Sequence, residues 1–390
     1  MFVLEILIYI LFAYIMYWIA NRALADDSNG SWNKYWTYYV VFYTVIAAIR
    51  FNVGIDCLSY IRIFTYGLLD ENRIDDEIIW TYLVRFIHES GLNAAFGLGI
   101  CAFIQIYCIV KACNSCKYIL ITVPIIMFGS RYFLDLMAAV RQMTVACVFL
   151  WSCKFILEKK FLKYILTIIL CSFFHHSALI LIPAYFIIYL PDISKRRKLM
   201  LIIFGLCFLA GQTPSFSSVI IYVQNLTNLA GYESYQDRVG SFLGSEETAE
   251  SLAFGPMMLS YLCISVFIIW EGAHLKETYG EKIPLFNIWY FFSFFFACAY
   301  FLVYRISHIF IRPVQYFELF QMVMGALLLY DLLIKSKFDQ YAKCLYVGFV
   351  LVIWTNTSWD IIKNYNLPNN FSTYKTIFFN EDLYRPIYIR

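Results

Sequence analysis

The amino-acid sequence predicts an all-α polytopic membrane protein of about twelve spans, and three observations carry that prediction. First, 61% of the 390 residues are hydrophobic and only 15% are charged, whereas a soluble domain keeps about a quarter of its residues charged. The mean hydropathy of +0.66 makes lipid the main solvent for this chain. Second, apolar runs near span length recur from end to end. Third, lysine and arginine fall between those runs in an alternating pattern. A net charge of +3 is too small to point to nucleic acid as a partner.

Residues 2–20 form the first span. They carry Glu5 and lack both a basic leader and a small-x-small cleavage site, which predicts a retained helix and not a cleaved signal. Further spans are expected at 35–49, 92–110, 118–134, 137–157, 161–174, 177–190, 199–213, 254–270, 284–303, 314–334 and 343–359. The runs at 35–49, 161–174 and 177–190 are short, and the last two could equally form a hairpin that only partly crosses. Pro124 and Pro183 fall inside spans, where neighbours must satisfy the backbone groups that proline frees. Residues 50–91 are predicted as an outer loop whose stretch Ile78 to His88 is an amphipathic helix along the interface. Residues 214–253, rich in Ser, Thr, Gly and acid, are predicted as an outer loop or lid. No repeat and no linker divides the chain, so 1–390 reads as a single transmembrane domain. Most of the 12 cysteines, such as Cys147 and Cys298, sit mid-span, where cysteine behaves as a small apolar residue. Cys113 and Cys116 make a lone CxxC with no second pair at metal spacing. No metal or cofactor is expected.

Sidedness follows from the basic residues. Lys111, Lys117, Lys154, Lys159, Lys160, Lys163 and the run Lys195-Arg196-Arg197-Lys198 lie in alternate loops, which the positive-inside rule assigns to the cytoplasm. Both termini are then expected outside. The cytoplasmic set is built from lysine, whereas the outer set (Arg50, Arg62, Arg73, Arg85, Arg131, Arg141, Arg238, Arg305, Arg312, Arg385 and Arg390) is built from arginine. Topology needs only positive charge. Arginine adds a planar fork that binds phosphate or carboxylate bidentately, so an arginine-rich outer rim suggests an anionic ligand such as a lipid-linked phosphate or pyrophosphate. The competing reading pairs these arginines with Asp70, Asp75, Asp76 and Glu77 as solvated surface.

Four clusters could carry chemistry. Arg50, Gly54, Asp56 and Tyr60 end the second span; Asp56 fits a general base, a sugar-hydroxyl acceptor or a turn-forming aspartate. Arg141-Gln142 opens the fifth span and precedes a long apolar stretch, with Asp135 as the nearest acid along the helix, so Arg141 should face a polar cavity or an anion. His175-His176-Ser177 lies at a hairpin tip; adjacent histidines point about 100° apart on a helix and do not chelate one metal together. One of them could be a general base, or both could bond to backbone. Arg305, His308 and Arg312 fall at i, i+3 and i+7, which would present three basic groups on one helical face, with Tyr316 following and Tyr374 in the outer tail able to cover the site.

In this order the clusters resemble the EpsG-like family of Wzy-type polysaccharide polymerases. The resemblance rests on Arg50…Gly54-Ile55-Asp56…Tyr60, on Ala139-Val140-Arg141-Gln142 and on Phe174-His175-His176-Ser177-Ala178-Leu179-Ile180. Arg312-Pro313…Tyr316-Phe317 and Tyr374…Phe378 add to it. It implies a bundle similar to the GT-C class of glycosyltransferases, in a bacterial inner membrane. The implied reaction transfers a growing glycan from undecaprenyl pyrophosphate to a new lipid-linked repeat unit at the outer face, with a flippase and a chain-length regulator as partners. Arg50, Arg141, Arg305 and Arg312 would then hold pyrophosphate, and Asp56 or His175 would handle the acceptor hydroxyl. His175 is preferred over His176 because one residue separates histidine from serine in that family's signature. Tyr60, Gln142, His176, His308, Tyr316 and Tyr374 are the further substrate contacts. Two other readings of the same residues are a flippase or transporter of lipid-linked sugar, and a membrane acyltransferase acting on glycans.

Overall fold

The computed structural model describes residues 2–26, 32–69, 76–213, 255–305, 308–364 and 371–379, without the side chains of Phe2, Met257, His308, Ile309 and Phe379. The outer loop expected at 214–253 and the acids Asp70 and Asp75 lie outside this set. Among the described residues the chain is helical, with a single isolated bridge between Arg50 and Thr376. Six helices are long and apolar enough to cross a membrane unaided. They are α1 (Phe2–Ala25), α5 (Ala94–Ala112), α8 (Val140–Leu157), α11 (Pro256–Tyr279), α12 (Phe286–Val303) and α15 (Gln340–Asn364). Around them stand α2 (Lys34–Ala48), α9 (Phe161–Ser172), α10 (Arg197–Gly211) and α14 (Glu318–Lys335). Each predicted span therefore coincides with helix. The chain is a multi-pass membrane protein.

Two predicted spans are not continuous helices. The fourth divides into a 3-10 helix (Asn114–Ile121), α6 (Val123–Gly129) and α7 (Tyr132–Ala138). Pro124 opens α6, and the Thr122 hydroxyl bridges the carbonyls of Ile119 (2.9 Å) and Ala326 (2.7 Å) beside it. At the α6–α7 break Arg131 adopts φ 70°, in the left-handed region. Side chains of α15 satisfy the backbone groups this frees, as apolar surroundings demand. Thr357 Oγ1 donates to the Phe128 carbonyl (2.6 Å) and accepts from the Arg131 N–H (3.0 Å). The Arg131 guanidinium in turn reaches Asp135 and Asp360, both at 3.3 Å. The seventh span is a 3-10 helix (His176–Tyr189) that packs against α9.

Packing is built around these breaks. α5 lies between α2 and α8, while α6 contacts α1 on one side and α14 and α15 on the other. Further out, α12 joins α10 to α14, and α11 packs on α15. The buried apolar side chains form one continuous core.

Among its described residues the segment 50–91, expected as an outer loop, carries two helices. It contains α3 (Cys57–Tyr66), which sequence reasoning left as loop, and α4 (Ile78–Glu89) where the amphipathic run is. Trp80, Val84 and Ile87 fill the buried face of α4. The C-terminal stretch returns to the same end of the bundle: the Phe51 N–H donates to the Lys375 carbonyl (2.8 Å) and the Gly54 N–H to the Phe371 carbonyl (3.0 Å).

Candidate functional site

The loop after α2 is positioned by two residues with backbone roles. Arg50 is 1% exposed. Its guanidinium donates to the carbonyls of Val53 and Met137, both at 3.3 Å, and of Ala47. Arg50 thus ends α2 and ties it to α7 in place of the anion-binding role that its position at the rim predicted. Gly54 has φ +85°, and a Cβ there would sit 2.7 Å from the Met137 carbonyl carbon and 2.8 Å from the Ala138 nitrogen. Only glycine lets this loop lie flat on the α7–α8 junction. That contact sets Asp56 next to the start of α8.

Arg141 occupies the first turn of α8, just past the break at Ala139. Its partner is not Asp135, which pairs with Arg131. The Arg141 guanidinium instead forms an ion pair with Glu77 and lies 5.3 Å over the Trp80 ring, and its positive charge acts on the nearby Tyr60 hydroxyl. Trp80 also meets Tyr60 and Phe174 edge-on, at centroid distances of 5.9 and 5.5 Å.

Glu77 stands immediately before α4 and is 2% exposed. The acidic stretch that contains it reads in the sequence as solvated surface, and the fold overturns that for this residue. One carboxylate oxygen faces Arg141; the other accepts from the His176 backbone N–H at 3.1 Å and lies 3.0 Å from His175 Nδ1. Burial pushes the Glu77 carboxyl up, but the His175 hydrogen bond, the charges of Arg141 and His175 and the His176 N–H outweigh it, and the group stays below the ordinary carboxylate range. The signal for Glu77 was present: it directly precedes the apolar run Ile78-Ile79-Trp80, where a helix is about to begin.

Asp56 is partly buried. Burial pushes its carboxyl up, opposed by the positive charges of Arg312 and Arg141. Arg312 is exposed, on α13 (His308–Gln315), and among the described residues its guanidinium has neither an ion pair nor a hydrogen bond. The Gln142 side-chain amide donates to the Arg312 carbonyl, so the start of α8 and α13 are tied together. Tyr316, 1% exposed, shares a 2.7 Å hydrogen bond with Ser177 at the α9 hairpin tip.

The fold therefore gathers Asp56, Tyr60, Arg141, Gln142, His175, Arg312 and Tyr316 at one end of the bundle, on four separate segments. The His176 ring is exposed and its backbone alone is tied in. The predicted stripe of Arg305, His308 and Arg312 is not one helical face: Arg305 lies in the turn after α12, where its guanidinium bonds Gln212 at 2.9 Å, while α13 begins at His308. The His308 side chain is outside the described set. Tyr374 lies apart as well; its hydroxyl donates to the Ile46 carbonyl (2.7 Å) and its ring packs on Phe12. Among the described residues no group of three or more His, Cys, Asp or Glu side chains could hold a metal.

The described chain is a multi-pass helical bundle with arginine, carboxylate and histidine side chains gathered at one end. The chain belongs to the EpsG family, whose pattern matches residues 33–371; this is a family of Wzy-like polysaccharide polymerases. No curated protein and no solved structure gives a match.

Proposed function

We propose that this chain polymerises lipid-linked oligosaccharide repeat units at the outer face of a bacterial inner membrane, in a GT-C-like bundle of twelve spans with both termini on that side. It transfers the glycan from undecaprenyl pyrophosphate to a sugar hydroxyl of a second lipid-linked unit. The observation that carries this reading is the meeting of Asp56, Arg141 and Arg312 at one bundle end, with the Arg312 guanidinium uncommitted among the described residues.

In the proposed step the acceptor oxygen forms a bond to the anomeric carbon and the carbon–oxygen bond to pyrophosphate breaks. Arg312 and Arg141 stabilise the charge that develops on the departing diphosphate, supplying with guanidinium groups what a metal ion supplies elsewhere. The first turn of α8, which carries Arg141, adds its helix dipole in the same sense. His175 receives the hydroxyl proton. Its ring presents Nδ1 to a carboxylate, an arrangement that orients histidine bases generally. Asp56 accepts a hydrogen bond from the acceptor sugar and holds it against the cationic pair. Tyr60, Gln142 and Tyr316 shape the cleft. A flippase supplies the substrate from the inner leaflet, and a chain-length regulator acts on the product.

The test uses purified protein in bilayer nanodiscs, supplied with undecaprenyl-pyrophosphate-linked repeat units. The expected result is a ladder of longer glycans with release of undecaprenyl pyrophosphate in proportion to the bonds formed. Substrate that stays monomeric, or that gains an acyl group or changes leaflet instead, contradicts the reading.

A further inference from the structure

The Glu77 carboxylate touches both Arg141 and His175, residues 64 and 98 positions away in sequence. It is 2% exposed, so these partners, with the His176 N–H, are the environment that keeps it ionised. An ionised carboxylate can only accept hydrogen bonds. The proton between Glu77 and His175 therefore belongs to His175 Nδ1, which leaves Nε2 as the ring position that exchanges a proton. Backbone contacts hold Glu77 itself in place: the Ile79 and Trp80 N–H groups at the start of α4 both point to the Phe173 carbonyl, at 2.9 and 3.4 Å. The α4 helix is thereby docked on the hairpin tip that carries His175.

We infer that Glu77 is the positioning residue of this site, fixing the Arg141 fork and the His175 ring in one relation and setting the tautomer of that ring. This rests on the glycosyl-transfer reading above for the roles of Arg141 and His175. Glu77 never meets substrate; it acts through both. The charged and titratable groups around the pair are Asp56, Tyr60 of α3, Arg141 of α8, His176 of the 3-10 helix, and Arg312 and Tyr316 next to α14.

Three variants separate the possible roles. Glu77→Gln keeps an acceptor for Nδ1 but removes the charge, Glu77→Asp keeps the charge on a shorter stem, and Glu77→Ala removes both. In the nanodisc assay, Glu77→Gln should lower kcat by about 10- to 100-fold with a smaller change in KM. The acidic limb of its pH–rate profile should move down by about one unit, because the anion that favours the imidazolium form is gone. Glu77→Asp should recover most of the rate and restore the limb. A folded Glu77→Gln protein whose limb stays at the wild-type pH would overturn the inference, whether or not kcat falls. Nitrogen-15 NMR of histidine-labelled protein, with His175→Gln to assign the resonance, reads the tautomer without any turnover. It should report Nδ1–H in wild type and loss of that preference in Glu77→Ala; an unchanged tautomer ratio would also overturn it. A wild-type protein that makes no polymer but shows the Nδ1–H tautomer rejects the polymerase reading and keeps the positioning one.

Discussion

At the scale of single residues, the arginines expected at the outer rim divide by what each guanidinium already holds. Arg50 is spent on three backbone carbonyls, Arg131 on two aspartates, Arg141 on Glu77, and Arg305 on Gln212. Arg312, like the exposed Arg62 and Arg85, has no ion pair or hydrogen bond among the described residues, and of these three it is the one whose charge acts on Asp56. Composition could only count the arginines in loops that the positive-inside rule assigns to the outer side. It could not show which are structural, because Arg50 and Arg312 both stand at helix ends and differ only in the folded neighbourhood. Asp56 carries a consequence for stability. Its carboxyl is raised in the fold by burial, against the opposing pull of Arg312 and Arg141. A raised group adds stability below its unfolded pKa of about 3.9 and loses that contribution as pH rises through the folded value. At neutral pH the ionised Asp56 is thus a net cost. Asp56→Asn should melt about 1–3 °C higher than wild type at pH 7, with the gap closing toward pH 4, while polymer formation falls by about 100-fold or more. Melting curves across pH, read beside the glycan ladder, check both halves; a variant less stable at pH 7 would contradict the account of this carboxyl.

At the scale of elements, the site depends on helices that stop. The breaks at Arg131 and Ala139 deliver Arg141 to the first turn of α8, and the loop from Arg50 to Asp56 lies on that junction because Gly54 has no side chain. The helices themselves were legible, since long apolar runs leave few alternatives, and six of them are long and apolar enough to cross a membrane. The breaks were not. The run 118–134 reads as one span despite Ser130-Arg131, and the form of its break depends on Thr357, Asn356 and Asp360, more than 200 positions later. Helix α3 was missed for a related reason: its buried face, Cys57, Tyr60 and Phe64, is only three residues long. Gly54→Ala tests the element account. Strain at positive φ costs about 1–2 kcal/mol, and the new methyl must also move the α7–α8 backbone. The variant should still insert in the membrane, melt several degrees lower, and lose most long-chain product because Asp56 and Arg141 no longer face each other. Full-length polymer from a folded Gly54→Ala protein would show that this junction does not set the site.

At the scale of the whole molecule, charge and fold are segregated along the bundle axis. The end that holds Asp56, Glu77, Arg141, His175 and Arg312 also receives the C-terminal stretch, whereas the opposite end carries the lysine-rich loops and a half-exposed pair, His274 and Lys335, around Asp331. The proposed polymerase needs cations for its departing diphosphate, and the uncommitted guanidinium of Arg312 is the feature on which that proposal turns. The most direct measurement is the affinity of nanodisc-embedded protein for undecaprenyl pyrophosphate, compared between wild type and Arg312→Ala at matched thermal stability. Loss of a charge-assisted contact to phosphate should weaken binding by about 10- to 100-fold, with Arg312→Lys recovering only part of it. Equal affinity in wild type and Arg312→Ala would contradict the pyrophosphate site.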